Sequence, residues 1–338
     1  MALTARQSRV PIISFGRVLE MADSEVAFAP KQGRAKFSDP LWTAGGERRA
    51  RVVPGPLRTL WFNTGTLCNL ACAGCYIESS PRNDRLAYIS RAEVGRFLAE
   101  ATRDHSGMDE VGFTGGEPFM NPEIMGMIAD ALAANFRVLV LTNAMAPLRH
   151  HRQRLLTLRR RYADRLSLRV SLDHYTRQGH EQVRGPRSFS PAIDGLKWLS
   201  EYGFDLAVAA RQLGPEDESV LRDGFSRLFT RERIAIDAFD SHRLVLFPEM
   251  DERAEVPEIT EQCWTILNKS PATLMCASAR MVIKRRGADV PAVVACTLLP
   301  YDARFEMGHT LGEAMKPVQL NHPHCAKFCV LGGASCSA

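Results

Sequence analysis

The chain has 338 residues, of which 45% are hydrophobic and 24% are charged, and its formal net charge is +5. This composition is ordinary for a globular protein and gives no sign of a disordered chain. The length accommodates one large domain together with a smaller one.

Three features of the sequence bear on its compartment. Residues 1–50 contain no basic segment followed by an apolar core, as a signal peptide would. The longest apolar stretch, residues 290–300, is far shorter than the ~20 residues that span a bilayer. Nine cysteines, an odd number, argue against a disulfide framework in an unexported chain. We therefore expect a cytoplasmic protein with no membrane partner.

The predicted elements begin after an irregular N-terminal extension over residues 1–55, which mixes Pro, Gly and charged residues. Apolar strand candidates follow at residues 58–64, 110–114, 137–142, 166–172, 205–212 and 242–247. Each of the first five precedes a segment with helical periodicity, such as residues 92–101. Alternation of this kind predicts an α/β domain with a parallel sheet over residues 56–254.

Three cysteines follow the first predicted strand, Cys68, Cys72 and Cys75, in the spacing CxxxCxxC. Thiolates bind cluster iron strongly, and three of them leave one iron of a 4Fe–4S cubane without a protein ligand. An open coordination position is typical of a catalytic metal site. Zinc is the alternative, but zinc sites usually pair two such motifs and no second one lies nearby.

Polar and glycine residues follow the later predicted strands. The second strand leads into Phe113-Thr-Gly-Gly-Glu-Pro118, which taken alone is also consistent with a simple turn. Asn143, Ser171 and Arg184 lie at or after the third and fourth strands. In barrels of parallel strands, reacting groups collect where the carboxyl ends of the strands meet, so we expect these residues to share one rim.

The cysteine motif and the Gly-Gly-Glu-Pro motif, in this order, resemble those of the radical S-adenosylmethionine (radical SAM) superfamily. The resemblance implies a partial (β/α)6 barrel and a 4Fe–4S cluster on Cys68, Cys72 and Cys75 whose open iron chelates S-adenosylmethionine. It further implies reductive cleavage of that cofactor to a 5′-deoxyadenosyl radical and hydrogen-atom abstraction from a small-molecule or short-peptide substrate. A reductant such as flavodoxin or ferredoxin would supply the electron.

The same resemblance assigns expected roles to the residues on the rim. Gly115, Gly116 and Glu117 would bind the amine of the methionine moiety, and Pro118 would stiffen that turn. Asn143 and Ser171 would reach the ribose, and Arg184 would clamp the cofactor carboxylate through two hydrogen bonds. One position departs from the family, because Gly74 stands where an aromatic residue commonly packs near the adenine. Tyr76 is the nearest residue able to take over part of that packing.

Cysteines return after residue 255. They are Cys263, Cys276, Cys296, Cys325, Cys329 and Cys336. Cys276 and Cys296 flank a predicted β-hairpin around Gly287, which would bring both thiols to one end.

This region resembles the SPASM and Twitch auxiliary-cluster domains, which implies a small cysteine-rich α+β domain over residues 255–338. One auxiliary 4Fe–4S cluster is expected, held by Cys276, Cys296 and two of Cys325, Cys329 and Cys336; six cysteines are too few for two clusters. Cys263 is expected to be a buried free thiol. Zinc remains an alternative, since His322 and His324 flank Cys325.

Two classes of function stay open. One is a radical SAM enzyme acting on a small metabolite or short peptide. The other is a tRNA-modifying enzyme that uses the basic residues 149–161, or a maturation or binding protein that carries clusters. No aromatic residues are interleaved with those arginines, which favours a solvated helix face, so a nucleic-acid partner is not expected.

Overall fold

The computed structural model describes residues 35–212, 214, 216–248 and 255–332. Within them the strands are β1 (Arg51–Val52), β2 (Thr59–Asn63), β3 (Glu110–Thr114), β4 (Arg137–Thr142), β5 (Leu166–Ser171), β6 (Asp205–Gln212), β7 (Leu244–Pro248), β8 (Ala279–Ile283), β9 (Ala292–Val294), β10 (Glu306–Gly308) and β11 (Val318–Gln319). The helices are α1 (Arg91–Asp104), α2 (Ile124–Ala133), α3 (Ala146–Arg149), α4 (Arg152–Tyr162), α5 (Arg177–Arg184), α6 (Phe189–Glu201), α7 (Glu218–Glu232), α8 (Cys263–Ile266) and α9 (Leu311–Ala314), and a π-helix spans Cys325–Leu331.

Strands β2 to β7 are parallel neighbours in chain order, with helices between them. Every strand candidate of the barrel region is confirmed, with ends that agree within two residues. The α/β class with a parallel sheet is therefore confirmed. The agreement has a simple cause: parallel strands are covered on both faces, so they read as continuous apolar runs.

The core lies between this sheet and its helices. All five residues of β2 and of β3 are buried, and the rings of Phe62 and Phe113 stack at 5.7 Å. Helix α1 begins at a capping box in which Ser90 and Glu93 satisfy each other's backbone N–H groups. Phe97 of that helix packs edge-on against Phe62. The helix is thereby fixed on the strand that leads into the cysteine motif.

The hairpin predicted around Gly287 is present, as β8 and β9 pair antiparallel with Met281 opposite Val294. The hairpin does not form a sheet of its own. Strand β8 pairs parallel with β2, so one nine-stranded sheet runs in the order β10-β9-β8-β2-β3-β4-β5-β6-β7. The main sheet therefore includes strands on both sides of residue 255.

The described part of the N-terminal extension packs on the C-terminal region. Strand β1 pairs with β11, and the buried Arg49 donates hydrogen bonds to the carbonyl oxygens of Asp39, Trp42 and Leu320 while it pairs with Glu258. Residues 1–34 of the predicted extension lie outside the described residues. None of the described helices combines the length and the apolar character that a bilayer crossing requires.

Candidate active site

One cavity lies at the carboxyl ends of the parallel strands. It brings together nine residues predicted from the sequence: Cys68, Cys72, Cys75, Tyr76, Gly115, Gly116, Asn143, Ser171 and Arg184. Further wall residues come from β5, β6, β7 and the C-terminal region: Arg169, Asp173, Arg211, Phe247, Leu298 and Phe328. Residues distant in sequence meet here because parallel strands end at the same edge of the sheet.

The three thiols of the cysteine motif differ in burial. Cys68 is buried, and burial raises its pKa to about 12, whereas Cys72 and Cys75 are partly exposed to the cavity. Burial also raises the pKa of Cys72, while the nearby Arg184 guanidinium acts in the opposite direction. The backbone N–H of Leu70 donates to the Cys68 sulfur at 3.4 Å. The Leu70 N–H group and the Arg184 guanidinium both favour negative charge on nearby sulfur atoms. This suits a metal cluster, which binds cysteine as the thiolate.

Two loops are joined directly at this edge. Gly116 N–H donates to the carbonyl of Gly65 at 2.9 Å, and Glu117 N–H donates to that of Leu67 at 3.2 Å. A Cβ atom on Gly116 would lie 2.2 Å from the Leu67 oxygen, so only glycine permits this approach. The Gly-Gly-Glu-Pro turn thus determines where the chain enters the cysteine motif.

Glu117 and Pro118 lie behind the cavity and do not line it. The Glu117 side chain is buried, and its carboxylate accepts hydrogen bonds from Thr142 Oγ1 (2.8 Å), Asn143 N–H (2.8 Å) and Phe119 N–H (3.2 Å). Burial raises the pKa of this carboxyl to about 7 despite these bonds. In this structure the carboxylate joins the end of β3 to the end of β4.

Asn143 and Ser171 have different surroundings. Asn143 is buried, and its Nδ2 donates to the side chain of Asn69 within the cysteine motif at 2.8 Å. Its Oδ1 accepts from the backbone of Met145. Ser171 ends β5 and is partly exposed to the cavity. Of these two side chains, Ser171 has the more open access to a ligand.

Arg184 and Arg211 share one carboxylate. Arg184 Nε donates to Asp173 Oδ2 at 2.6 Å, and Arg211 Nε donates to Oδ1 at 3.0 Å. Although burial alone would raise the pKa of Asp173, the two guanidinium groups lower it to about 2. The Nη groups of Arg184 form no hydrogen bond with another described residue, and Arg184 lines the cavity. They remain able to bind an anionic ligand.

A second cavity lies in the C-terminal region. Four of the predicted ligands line it, Cys276, Cys296, Cys325 and Cys329, together with His324. Burial raises the pKa of Cys276 to about 11 and that of Cys325 to about 12. Cys336 lies outside the described residues, and Cys263 lines neither cavity. Nowhere in the described ranges do three His, Cys, Asp or Glu side chains come close enough to hold a single metal ion.

The four thiols of the second cavity nevertheless suit a cubane by number and kind, because each thiolate of such a cluster ligates a different iron. Cys276 precedes β8 and Cys296 follows β9, so the antiparallel pair brings them to one end, as predicted. The π-helix supplies the other two thiols, those of Cys325 and Cys329.

Leu298 separates the two cavities, since its side chain lines both. Its backbone N–H donates to the Cys296 sulfur at 3.3 Å. On the π-helix, Phe328 lies between Cys325 and Cys329 and stacks on Phe247 of β7 with ring centroids 5.6 Å apart. These three apolar side chains form one wall of the first cavity.

Sequence reasoning missed this apolar wall and the buried Arg169. Arg211 lies within the strand predicted over residues 205–212, but no role was predicted for it. Arg169 lies in the middle of β5 and is buried. A charged residue within an apolar strand is unusual, and this could have marked it as a candidate site residue. No local pattern identified Phe247, Leu298 and Phe328, because their meeting depends on how the C-terminal region closes against β7.

A family model described as the Radical SAM superfamily matches residues 62–219, all within the predicted barrel region. The antilisterial bacteriocin subtilosin biosynthesis protein AlbA of Bacillus subtilis (strain 168) is 34% identical over 158 residues, which are 46% of this chain and 33% of AlbA. Mycofactocin maturase MftC of Mycobacterium tuberculosis is 27% identical over 177 residues, 51% of this chain and 43% of MftC. The chain thus spans less than half the length of these two relatives.

Solved structures share the fold. Streptococcus suis SuiB bound to S-adenosylmethionine superposes with a TM-score of 0.55 at 13% identity, over 75% of this chain and 63% of SuiB. The protein anSMEcpe with bound AdoMet gives a TM-score of 0.55 at 15% identity, over 77% of both chains. Both motifs and most of the residues that line the strand-end cavity fall within residues 62–219. Residues 62–219 of this chain are thus similar to the radical SAM superfamily.

Proposed function

We propose that this protein is a radical SAM enzyme that cleaves S-adenosylmethionine reductively and abstracts a hydrogen atom from a peptide substrate. One observation carries the proposal: Cys68, Cys72 and Cys75 line the same cavity as the strand-end residues Ser171 and Arg184. When bound, the 4Fe–4S cluster would supply one electron to the sulfonium of S-adenosylmethionine. Cleavage of the C5′–S bond then gives methionine and a 5′-deoxyadenosyl radical.

The residues of the cavity divide the work of binding. The three thiolates hold the cluster, and the backbone of Gly115 and Gly116 forms the edge for the methionine amine. Arg184 binds the methionine carboxylate through its Nη groups, which a guanidinium can do in bidentate fashion. Ser171 reaches the ribose, and Tyr76 borders the adenine. Glu117, Pro118 and Asn143 support this arrangement from behind by fixing the loops.

An auxiliary 4Fe–4S cluster is proposed for the second cavity, with Cys276, Cys296, Cys325 and Cys329 as ligands. All four thiols line that cavity. Because Leu298 lines both cavities, a cluster there would lie close to the reacting substrate and could receive an electron from a product radical.

The peptide nature of the substrate is supported by the relatives. AlbA is named for the biosynthesis of a bacteriocin, and a SuiB structure contains its precursor peptide SuiA. Phe247, Leu298 and Phe328 give the cavity an apolar part beside its charged lining residues. Flavodoxin or ferredoxin as the reductant, and a cytoplasmic location, complete the proposal.

The deciding experiment is formation of 5′-deoxyadenosine by the anaerobically reconstituted, reduced protein. Wild-type protein is expected to form it, and Cys72→Ala to form none, because the cluster loses one of its three ligands. Cys263→Ala is the matched control, since Cys263 lines neither cavity, and it should retain the wild-type rate. Undiminished formation by Cys72→Ala would refute the assignment.

A further inference from the structure

The segment between Cys72 and Cys75 is held at three points by elements distant in sequence. The Ala73 N–H donates to the Val183 carbonyl at 2.8 Å. Arg211 Nη1 donates to the carbonyl oxygens of Ala73 (3.1 Å) and Gly74 (3.3 Å). Two of the three bonds therefore depend on one guanidinium, which comes from the end of β6.

Asp173 fixes the other side of that guanidinium. Its Oδ1 accepts from Arg211 Nε at 3.0 Å, and its Oδ2 accepts from Nη2 at 3.4 Å. The Asp173 side chain is 3% exposed and the Arg211 side chain 15% exposed, so the pair is held away from bulk water. The Arg211 guanidinium therefore donates to a carboxylate on one side and to two carbonyl oxygens on the other, which leaves it little freedom to rotate.

Gly74 makes room for this contact. Its φ of +63° is in the left-handed region, and a Cβ atom there would lie 3.3 Å from Arg211 Nη1. A side chain at position 74 would therefore be strained and would press on the guanidinium. The contact made by Arg211 therefore depends on glycine at position 74.

From these contacts we propose that Arg211 is a positioning residue, which holds the backbone between Cys72 and Cys75 so that both thiols face the cavity, while Asp173 aligns it. The inference rests on the proposed function, since the loop matters for catalysis only if it carries the cluster. Arg184 binds the same carboxylate through its Nε and lines the cavity. One carboxylate therefore orients two arginines with separate tasks.

Hydrogen–deuterium exchange of the full-length, cluster-free chain tests the contact without any metal. In Arg211→Gln, amides of residues 69–76 should exchange about tenfold faster than in wild type or more, because two hydrogen bonds to this segment are lost. Arg211→Lys should be intermediate, because an ammonium can reach the carbonyls or Asp173 but cannot bridge both. Amides of α1 report on global folding and should not change.

Arg222→Gln is the matched control. Arg222 has a similarly covered side chain, 12% exposed, and also bridges a carboxylate to two carbonyl oxygens, those of Ala238 and Leu244. It makes none of its hydrogen bonds with the cysteine loop, so the control should leave exchange in residues 69–76 unchanged. Equal exchange in wild type and Arg211→Gln, or equal acceleration by Arg222→Gln, would overturn the proposal.

The second readout is the EPR spectrum of the reduced, reconstituted protein before and after S-adenosylmethionine is added. Arg211→Gln should show a smaller cofactor-induced spectral change, which Arg211→Lys partly restores. A full wild-type change in Arg211→Gln would exclude the positioning role. Wild-type protein that takes up no cluster would instead contradict the proposed function, while the exchange result would still test the contact.

Discussion

The carboxyl group of Glu117 is fully buried, and this burial determines how its charge affects stability. Its folded-state pKa of about 7 lies above the ordinary value of 4.5, so protonation is favoured by folding. The stabilising contribution is therefore fully present below pH 4.5 and is lost as the pH rises through about 7. The neutral state of this residue is the one that the fold prefers.

We predict that Glu117→Gln removes this pH dependence. The free energy of unfolding of wild type minus that of the variant should fall between pH 5 and pH 8, by at most about 3 kcal/mol. A constant offset of about 1–3 kcal/mol should remain, because the Gln amide cannot accept from all three donors. Urea denaturation of the cluster-free protein measures both quantities. Glu255→Gln, on a side chain that is 84% exposed, serves as the control, and a pH-independent difference for Glu117→Gln would contradict this interpretation.

Some of the site could be predicted at the scale of residues and some could not. Cys68, Cys72 and Cys75 were identifiable because the spacing of three cysteines within eight residues is itself typical of a cluster-binding loop. The pairing of Asp173 with Arg211 was not, since 38 residues separate them and each also reads as an ordinary strand-end residue. Glu117 shows a third case, in which the motif was recognised but the direction of its side chain depends on β4.

At the scale of elements, the π-helix depends on its packing against β7. Phe328 is buried and stacks on Phe247. We predict that Phe328→Ala destabilises the protein by about 3–5 kcal/mol, the usual cost of removing a buried aromatic ring. Thermal and urea unfolding measure this loss.

The control for that substitution is Phe239→Ala. Phe239 is 59% exposed, so its removal should change stability by no more than about 0.5 kcal/mol. Equal effects of the two substitutions would show that the stacked pair contributes nothing specific.

The strands were predictable and the π-helix was not, for related reasons. A buried parallel strand is apolar throughout, and its ends coincide with a change to polar residues. A π-helix differs from an α-helix by one extra residue in a turn, a choice made by the surrounding packing and not by local preference. The hairpin of β8 and β9 was foreseen, but its parallel pairing with β2 was not, because more than 200 residues separate those strands.

At the scale of the whole molecule, the two cavities should load independently. We predict that a variant with Cys68, Cys72 and Cys75 all changed to Ala still binds about four irons with matching sulfide, the content of one cubane. Its reduced form should show its own EPR signal, and truncation before Cys325 should abolish both. Metal analysis that finds zinc without iron would make the second site structural and remove any role in electron transfer.

The pairing of β8 with β2 also has a consequence for where the chain can be divided. Strand β2 is buried along its whole length, and β8 occupies the hydrogen-bonding edge that β3 leaves open. Ending the protein at residue 254 would expose that edge as a row of unpaired N–H and C=O groups flanked by Leu60, Trp61 and Phe62. An apolar, unpaired edge is a template for association with other chains. Without residues 255–338, strands β2 to β7 would accordingly be prone to aggregate, because β8 covers this edge of β2.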